Sequence, residues 1–277
     1  MLTVSAYAKI NLTLEVLGTC SNGYHEVATV LQEIDLKDSL SFKEYQDIML
    51  KSPEGLVLKA ARLLQEAGKC SKGASISIRK GIPVAAGLGG SSSDAAAALR
   101  GLNKLWGLDF SLSELTGVAS RVSSDTAFFL YGDTALGEGR GERITPLPPL
   151  PPSWVVLFRP PVTIPPNKTE TLYALLNPSH FTEGQFAKRV VDLLRRKGDV
   201  CHTSLFNVFE EVAFIAFPEL EAYWQRFSQM GAGHIHLAGS GPTLFTLVGD
   251  KAQGDELYQC LRKEGLEAYL VQTKAKN

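Results

Sequence analysis

The residues best placed to do chemistry lie between Ile82 and Leu102, IPVAAGLGGSSSDAAAALRGL, where glycines and three consecutive serines run straight into alanine-rich, helix-forming sequence. Glycine reaches backbone conformations closed to other residues and brings no side chain, so Gly87, Gly89 and Gly90 let main-chain N–H groups close around an oxyanion. Ser91, Ser92 and Ser93 add hydroxyl donors where the helix begins, and the partial positive charge of a helix N-terminus favours an anionic guest. A phosphate fits that description. The stretch contains neither G-x-x-x-x-G-K-S/T nor G-x-G-x-x-G, which excludes a P-loop and a dinucleotide fingerprint. GLGG by itself is as well read as a turn that permits close packing; the serines and the helix start turn it toward an anion cradle.

Other candidates are scattered. Asp125 in SSDTAFF either caps the helix-like TAFFLYG segment or accepts a proton. Tyr24 and His25 in NGYHEV are either scaffold on a turn after Asn22-Gly23 or a ring and a hydrogen-bonding edge for a flat ligand. His234 and His236 stand two apart, as metal ligands on a strand do, but no third ligand accompanies them and no metal site is expected.

The elements that must position these residues are legible from periodicity. Ile10, Leu12, Leu14 and Val16 alternate with Asn11, Thr13 and Glu15, which predicts a strand. Val57, Ala60, Ala61 and Leu64 recur at helical spacing, with Pro53 suited to the first turn and Gly68 to the close. SISIRK at 75–80 alternates and leads into the glycine loop, and Ser111 and Glu114 have capping-box spacing at the head of another helix. TPLPPLPPSW, Thr145 to Trp154, cannot continue a helix or sit inside a sheet, so it is read as a stiff connection dividing domains 1–152 and 153–277. Beyond it WVVLF, LFTLVG and EAYLVQ read as strands and FAKRVVDLLRRKG and DELYQCLRKEG as helices. The fold class is α+β in both halves, without an internal repeat.

Composition narrows the partners. With 44% apolar and 21% charged residues over 277 positions, the chain has an ordinary globular make-up. A net charge of -1 supplies no field for a nucleic-acid backbone or an anionic membrane. Cys20, Cys70, Cys201 and Cys260 lack C-x-x-C spacing, so reduced structural thiols are expected. The N-terminus lacks the basic and apolar regions of a signal peptide, and a cytoplasmic location is expected.

PVAAGLGGSSSDAA resembles the P-x-x-x-G-L-G-S/G-S-S/A-A phosphate loop of the galactokinase, homoserine kinase, mevalonate kinase and phosphomevalonate kinase (GHMP) superfamily. AYAKINLTLEVLG and LAGSGPTLFTLV resemble its two other motifs, in the same order. Within it, AKINL, NGYHEV, GLGGSSSDAA and SSDTAFFLYGDTALGEGRGE are similar to the 4-diphosphocytidyl-2-C-methyl-D-erythritol kinase family. The resemblance implies a two-domain GHMP kinase fold: an N-terminal α+β domain that binds ATP, a ferredoxin-like C-terminal domain, and a substrate cleft between them. It further implies ATP and Mg2+ as cofactors, and phosphorylation of the 2-hydroxyl of 4-diphosphocytidyl-2-C-methyl-D-erythritol in the non-mevalonate (MEP) route to isoprenoid precursors. A small-molecule substrate, no nucleic-acid or membrane partner, and a monomer or weak homodimer are the corresponding expectations.

Residue by residue, the resemblance makes Asp125 the catalytic base and Lys9 the lysine paired with it. It gives the nucleotide phosphates to Pro83, Val84, Ala85, Ala86, Gly87, Leu88, Gly89, Gly90, Ser91, Ser92 and Ser93. Asn11, Tyr24 and His25 fall on the substrate side, where a ring stacks on cytosine, with Tyr173 in NKTETLY as the opposing ring. Gly239, Ser240 and Gly241 of GSGPT shape the cleft. Two departures stand out: the family's D-V-P is Asp125-Thr126-Ala127 here, and Gly55 stands where the family has asparagine beside the adenine. They motivate the alternative of a non-catalytic nucleotide-binding member. The other alternative, a GHMP kinase acting on homoserine or mevalonate, has no use for NGYHEV.

Overall fold

The structure is a computed structural model that describes residues 1–21, 23–50 and 55–275. Asn22 of the expected turn and Pro53 of the expected helix start lie outside the described residues. The first half runs β1 (Leu2–Thr19), β2 (His25–Tyr45), β3 (Ile48–Leu50), α1 (Gly55–Ala67), β4 (Gly73–Arg79), α2 (Gly90–Trp106), α3 (Leu112–Val122), α4 (Thr126–Tyr131), β5 (Thr134–Gly139) and β6 (Arg143–Pro146). β1 and β2 form a long antiparallel pair whose register shifts three times, between Tyr7 and Ala8, Asn11 and Thr13, and Val16 and Gly18. β4 and β5 both pair with β2, and the helices pack beside this sheet.

The sequence of α2 explains its position. Ala95 to Ala98 are fully buried, and a methyl group at Gly101 would stand 2.5 Å from the Phe42 ring, so only small residues let the helix lie this close to the sheet. The expected capping box opens α3: Glu114 N donates to Ser111 Oγ at 3.3 Å, and Ser111 N to Glu114 Oε2 at 2.7 Å.

The second half runs β7 (Trp154–Arg159), α5 (Lys168–Leu175), α6 (Gln185–Arg195), β8 (Phe206–Asn207), α7 (Ala213–Ala216), α8 (Leu220–Gln229), β9 (His236–Leu237), β10 (Leu244–Val248), α9 (Lys251–Lys263) and β11 (Glu267–Gln272). Its antiparallel sheet has the order β11-β7-β10-β9, which is the ferredoxin-like arrangement. The last helix starts at Lys251, earlier than its apolar pattern indicates, because Asp250 accepts Gln253 N at 2.9 Å as its cap.

The proline-rich segment differs from its reading. Thr145 and Pro146 end β6, a strand paired only with β5; an edge strand tolerates a proline because one row of its N–H groups is unused by the sheet. Leu147 N and Leu150 N then donate to Thr134 O and Oγ1 at 2.9 and 3.0 Å, strapping the connection to the first sheet before β7 begins. The two halves are knitted together: β8 pairs in parallel with β1, and Ile10, Leu12 and Val30 share one buried cluster with Leu157, Val190 and Phe245. At about 1.5–3 kcal/mol for each large apolar side chain fully buried, that shared cluster fixes how the halves meet. No helix among the described residues is long and apolar enough to cross a membrane.

Candidate active site

The loop between β4 and α2 lies where the two halves meet. Pro83 to Ser92 line a cleft of about 240 Å³ together with Lys80, Lys168 and Thr169, whereas Ser93 is buried and does not line it. β1 holds the loop from below, Lys9 N donating to Leu88 O at 3.0 Å. The GSGPT loop closes on it from the other half. A methyl group at Gly87 would overlap the Ala238 carbonyl oxygen and stand 2.8 Å from Gly241 N; one at Gly239 would stand 2.8 Å from both Gly87 O and Lys9 Nζ. The three sequence motifs therefore meet around Lys9.

Lys9 is 4% exposed and donates from Nζ to Asn11 Oδ1 at 2.7 Å. Asn11 in turn donates to Thr29 Oγ1 at 2.8 Å, which fixes its amide orientation. Asp125 Oδ2 lies 4.0 Å from Lys9 Nζ, and its side chain is 41% exposed. Burial pushes the Lys9 ammonium below the ordinary lysine range, and the Asp125 carboxylate acts against that shift. Asp125 occupies the position just before α4 but makes no side-chain bond to the helix N–H groups, so the capping role weighed for it is not realised. The start of α4 is held by hydroxyls: Ser123 Oγ lies 2.6 Å from Thr126 Oγ1 and 2.9 Å from Ser92 Oγ. These hydroxyl bonds hold the turn after Asp125, where the resemblance implies a proline and Ala127 stands.

A second cleft, of about 210 Å³, is lined by Lys9, Asn11, Asp125, Arg140, Tyr173 and Ser240 among others. It shares Gly87, Gly89 and Thr169 with the glycine-loop cleft, so the two adjoin. Tyr173 stacks on His25, with ring centroids 4.8 Å apart and planes 19° from parallel, and meets Phe209 edge-on at 5.0 Å. Apolar packing under α5 draws Tyr173 inward, and burial, with Asp125 nearby, pushes its hydroxyl up to about 12. Tyr24 is 56% exposed and carries the Arg140 guanidinium over its ring at 5.2 Å.

Sequence reasoning missed several residues. Lys80 Nζ lies 2.6 Å from Asp38 Oδ2 and 2.8 Å from Asp94 Oδ2, both carboxylates fully buried. Burial alone would lower the Lys80 ammonium, but the hydrogen bonds to Asp38 and Asp94 outweigh it and hold the group above the lysine range. Asp38 Oδ1 also accepts Gly81 N and Ile82 N at 2.6 and 2.8 Å, which anchors the entry to the glycine loop. The only sequence signal was the aspartate inside GSSSDAAAAL. Phe181, edge-on to His25 at 6.1 Å, and Arg140 carried no signal of their own. His234 stacks on His202 at 3.4 Å, and among the described residues no three His, Cys, Asp or Glu side chains gather to hold a metal ion.

Comparison with known proteins agrees with this geometry. The family described as GHMP kinases N terminal domain matches residues 55–133, and the one described as GHMP kinases C terminal matches residues 183–267. Fold and site define a small-molecule kinase of the GHMP type. The chain is 42% identical over 280 residues to a 4-diphosphocytidyl-2-C-methyl-D-erythritol kinase of Dehalococcoides mccartyi, covering 99% of this chain and 98% of that protein. It is 40% identical over 272 residues to the Geobacillus kaustophilus protein of the same name, covering 94% and 93%. Among solved structures, a 4-(cytidine 5'-diphospho)-2C-methyl-D-erythritol kinase superposes with a TM-score of 0.84 at 31% identity, covering 99% of this chain and 100% of that one. A homoserine kinase from Cytophaga hutchinsonii, with a TM-score of 0.74 at 16% identity and coverage of 99% and 95%, shares the fold. This chain belongs to the 4-diphosphocytidyl-2-C-methyl-D-erythritol kinase family.

Proposed function

We propose that this kinase transfers the γ-phosphoryl group of ATP to the 2-hydroxyl of 4-diphosphocytidyl-2-C-methyl-D-erythritol, a step of the MEP route to isoprenoid precursors. The observation that carries the reading is that the two clefts adjoin, with Lys9 and Asp125 lining the second beside the Gly87 and Gly89 that both clefts share. ATP lies with its phosphates against Pro83 to Ser92. The acceptor lies in the second cleft, its cytosine end toward Tyr24 and His25. Asp125, partly exposed, orients the hydroxyl and takes its proton as the new P–O bond forms and ADP leaves. Lys9, 4.0 Å away, holds that carboxylate in orientation and stabilises charge on the transferred group. Asn11 holds the lysine in place. Gly239, Ser240 and Gly241 close the cleft from the second half.

The side-chain oxygens lining the phosphate cleft are the hydroxyls of Ser91, Ser92 and Thr169, which suit a cation coordinated chiefly by phosphate oxygens and water. Mg2+ carried in with ATP would meet those hydroxyls and supply charge neutralisation on the β- and γ-phosphates. The experiment is ADP release by purified protein with Mg2+ and ATP, supplied with the cytidyl substrate, homoserine or mevalonate. Release that depends on the cytidyl substrate alone is expected. Release with another acceptor moves the substrate assignment, and silence with all three despite nucleotide binding favours the non-catalytic alternative.

A further inference from the structure

Lys168, the first residue of α5, reaches from the second half into the glycine-loop cleft. Its Nζ donates to Ala85 O at 2.9 Å and to Gly241 O, so one amine bridges the phosphate loop and the GSGPT loop. The two lysines lining that cleft are held in opposite ways. Lys80 sits between two buried carboxylates that neutralise it. Lys168 sits between two main-chain carbonyls, and the charged groups that act on it are the cations Lys9 and Arg159. Arg159 is itself paired with Glu267 at 2.8 Å and donates to Val84 O at 3.2 Å. On its own helix, the neighbour Thr169 is occupied with Ser240 Oγ at 3.0 Å and Glu170 is exposed.

We propose that Lys168 is a further phosphate-binding residue of this site, giving its ammonium to the nucleotide while it latches the glycine loop to the second half. The inference rests on the reading of this cleft as the ATP site. Burial, with Lys9 and then Arg159 nearby, brings the Lys168 amine down to about 7 in the empty site. A neutral amine keeps two N–H groups, enough for Ala85 O and Gly241 O; the third, and the positive charge, arrive when an anion is there to meet them. Nucleotide binding therefore takes up a proton. With the empty-site group titrating at about 7, uptake at pH 7.5 is roughly three-quarters of a proton per nucleotide bound.

The test is calorimetry of a magnesium-bound, non-hydrolysable ATP analogue at pH 7.5, in two buffers of different ionisation heat, with wild type, Lys168→Met and Lys168→Arg. Lys168→Met is expected to bind about ten- to hundredfold more weakly, as for one lost charge-assisted hydrogen bond, and without the uptake. Lys168→Arg stays charged at this pH and is expected to restore most of the affinity, also without the uptake. In turnover, the Met variant raises the KM for ATP and leaves the KM for the acceptor within about twofold of wild type. Wild-type affinity in Lys168→Met, or wild-type proton uptake in Lys168→Arg, overturns the role of Lys168 alone. A wild-type chain that does not bind the analogue overturns the ATP reading itself.

Discussion

A methyl group added at Gly87 tests how tightly the two halves close on the phosphate loop. Gly87 has φ +84, in the left-handed region, and the added atom would overlap the Ala238 carbonyl and stand 2.8 and 3.0 Å from the nitrogen and oxygen of Gly241. Backbone atoms cannot rotate aside as a side chain does. Gly107, which closes α2 with φ +66, has nothing within 4 Å of the same added atom, so Gly107→Ala isolates the conformational cost. That cost is about 1–2 kcal/mol, reduced by the loss of chain entropy in the unfolded state. Gly87→Ala adds overpacking of about 1–3 kcal/mol, for a total of roughly 2–5 kcal/mol. By thermal melting, at about 2 °C per kcal/mol for a chain of this size, Gly107→Ala should fall about 2–4 °C and Gly87→Ala about 4–10 °C. If the GSGPT loop retreats instead of straining, the loss appears as a raised KM for ATP, and both quantities are measured. A Gly87→Ala protein that melts with Gly107→Ala and keeps its KM for ATP would refute the closed contact.

Asp125→Asn should lower turnover by about two to four orders of magnitude while nucleotide affinity stays within about threefold, by equilibrium binding and single-turnover kinetics; near-normal turnover removes the carboxylate from proton transfer. Tyr24→Ala should leave stability within about 0.5 kcal/mol, because the ring is 56% exposed. Its effect should appear as a KM for the cytidyl substrate raised about 5- to 150-fold against an unchanged KM for ATP, and equal rises would contradict stacking. Glu33 is 6% exposed, and burial pushes its carboxyl above the ordinary value, with Lys274 and Arg100 acting against the shift. The folded state thus holds that proton more tightly than the unfolded chain, a contribution present below the ordinary value of 4.5 and lost as pH rises through the folded one. Urea denaturation should show Glu33→Gln gaining on wild type as pH rises above 4.5; a gap that closes with rising pH would mean that Lys274 dominates.

What could be read in the sequence was what local chemistry decides. The capping box of α3, the small-residue run of α2 and the glycine loop each carry their reason within a few residues. β2 was not legible, because Asp35 and Leu36 bulge out of register between Lys37 and Ile34 and break the alternation that marks a strand. Pro146 misled for a related reason: whether a proline is tolerated depends on the strand being at an edge, which is a property of the assembled sheet. In the site, Lys9, Asn11 and the glycines were found through the motifs that contain them. Lys80 and Lys168 were not, since each gains its meaning from partners on other elements: Asp38 on β2 and Asp94 on α2 for one, Ala85 and Gly241 for the other. The contact of Tyr173 with His25 was not legible either, because it joins α5 to the start of β2.

The glycines also serve a purpose that composition alone did not suggest. Besides freeing N–H groups for an anion, they make room for a lysine in the middle of a strand. Lys9 lies between Ala8 and Ile10, both fully buried in the cluster shared by the two halves, and its side chain leaves β1 on the other face. A methyl group at Gly89 would stand 3.2 Å from Lys9 Cε, and one at Gly239 would stand 2.8 Å from Nζ. The slot that houses the ammonium is therefore walled by one glycine from each half of the molecule. Within it water screens the charge poorly, so the attraction of Asp125 across 4.0 Å counts for more than it would at the surface. Burial lowers the Lys9 ammonium and the Asp125 carboxylate acts against that shift, so the charge on the lysine depends on both. Replacing Gly239 with a larger residue should disturb Lys9 and the phosphate loop together, because the added atom stands as close to Gly87 O as to the ammonium, whereas at Gly89 the Phe129 ring, 2.7 Å away, must move first.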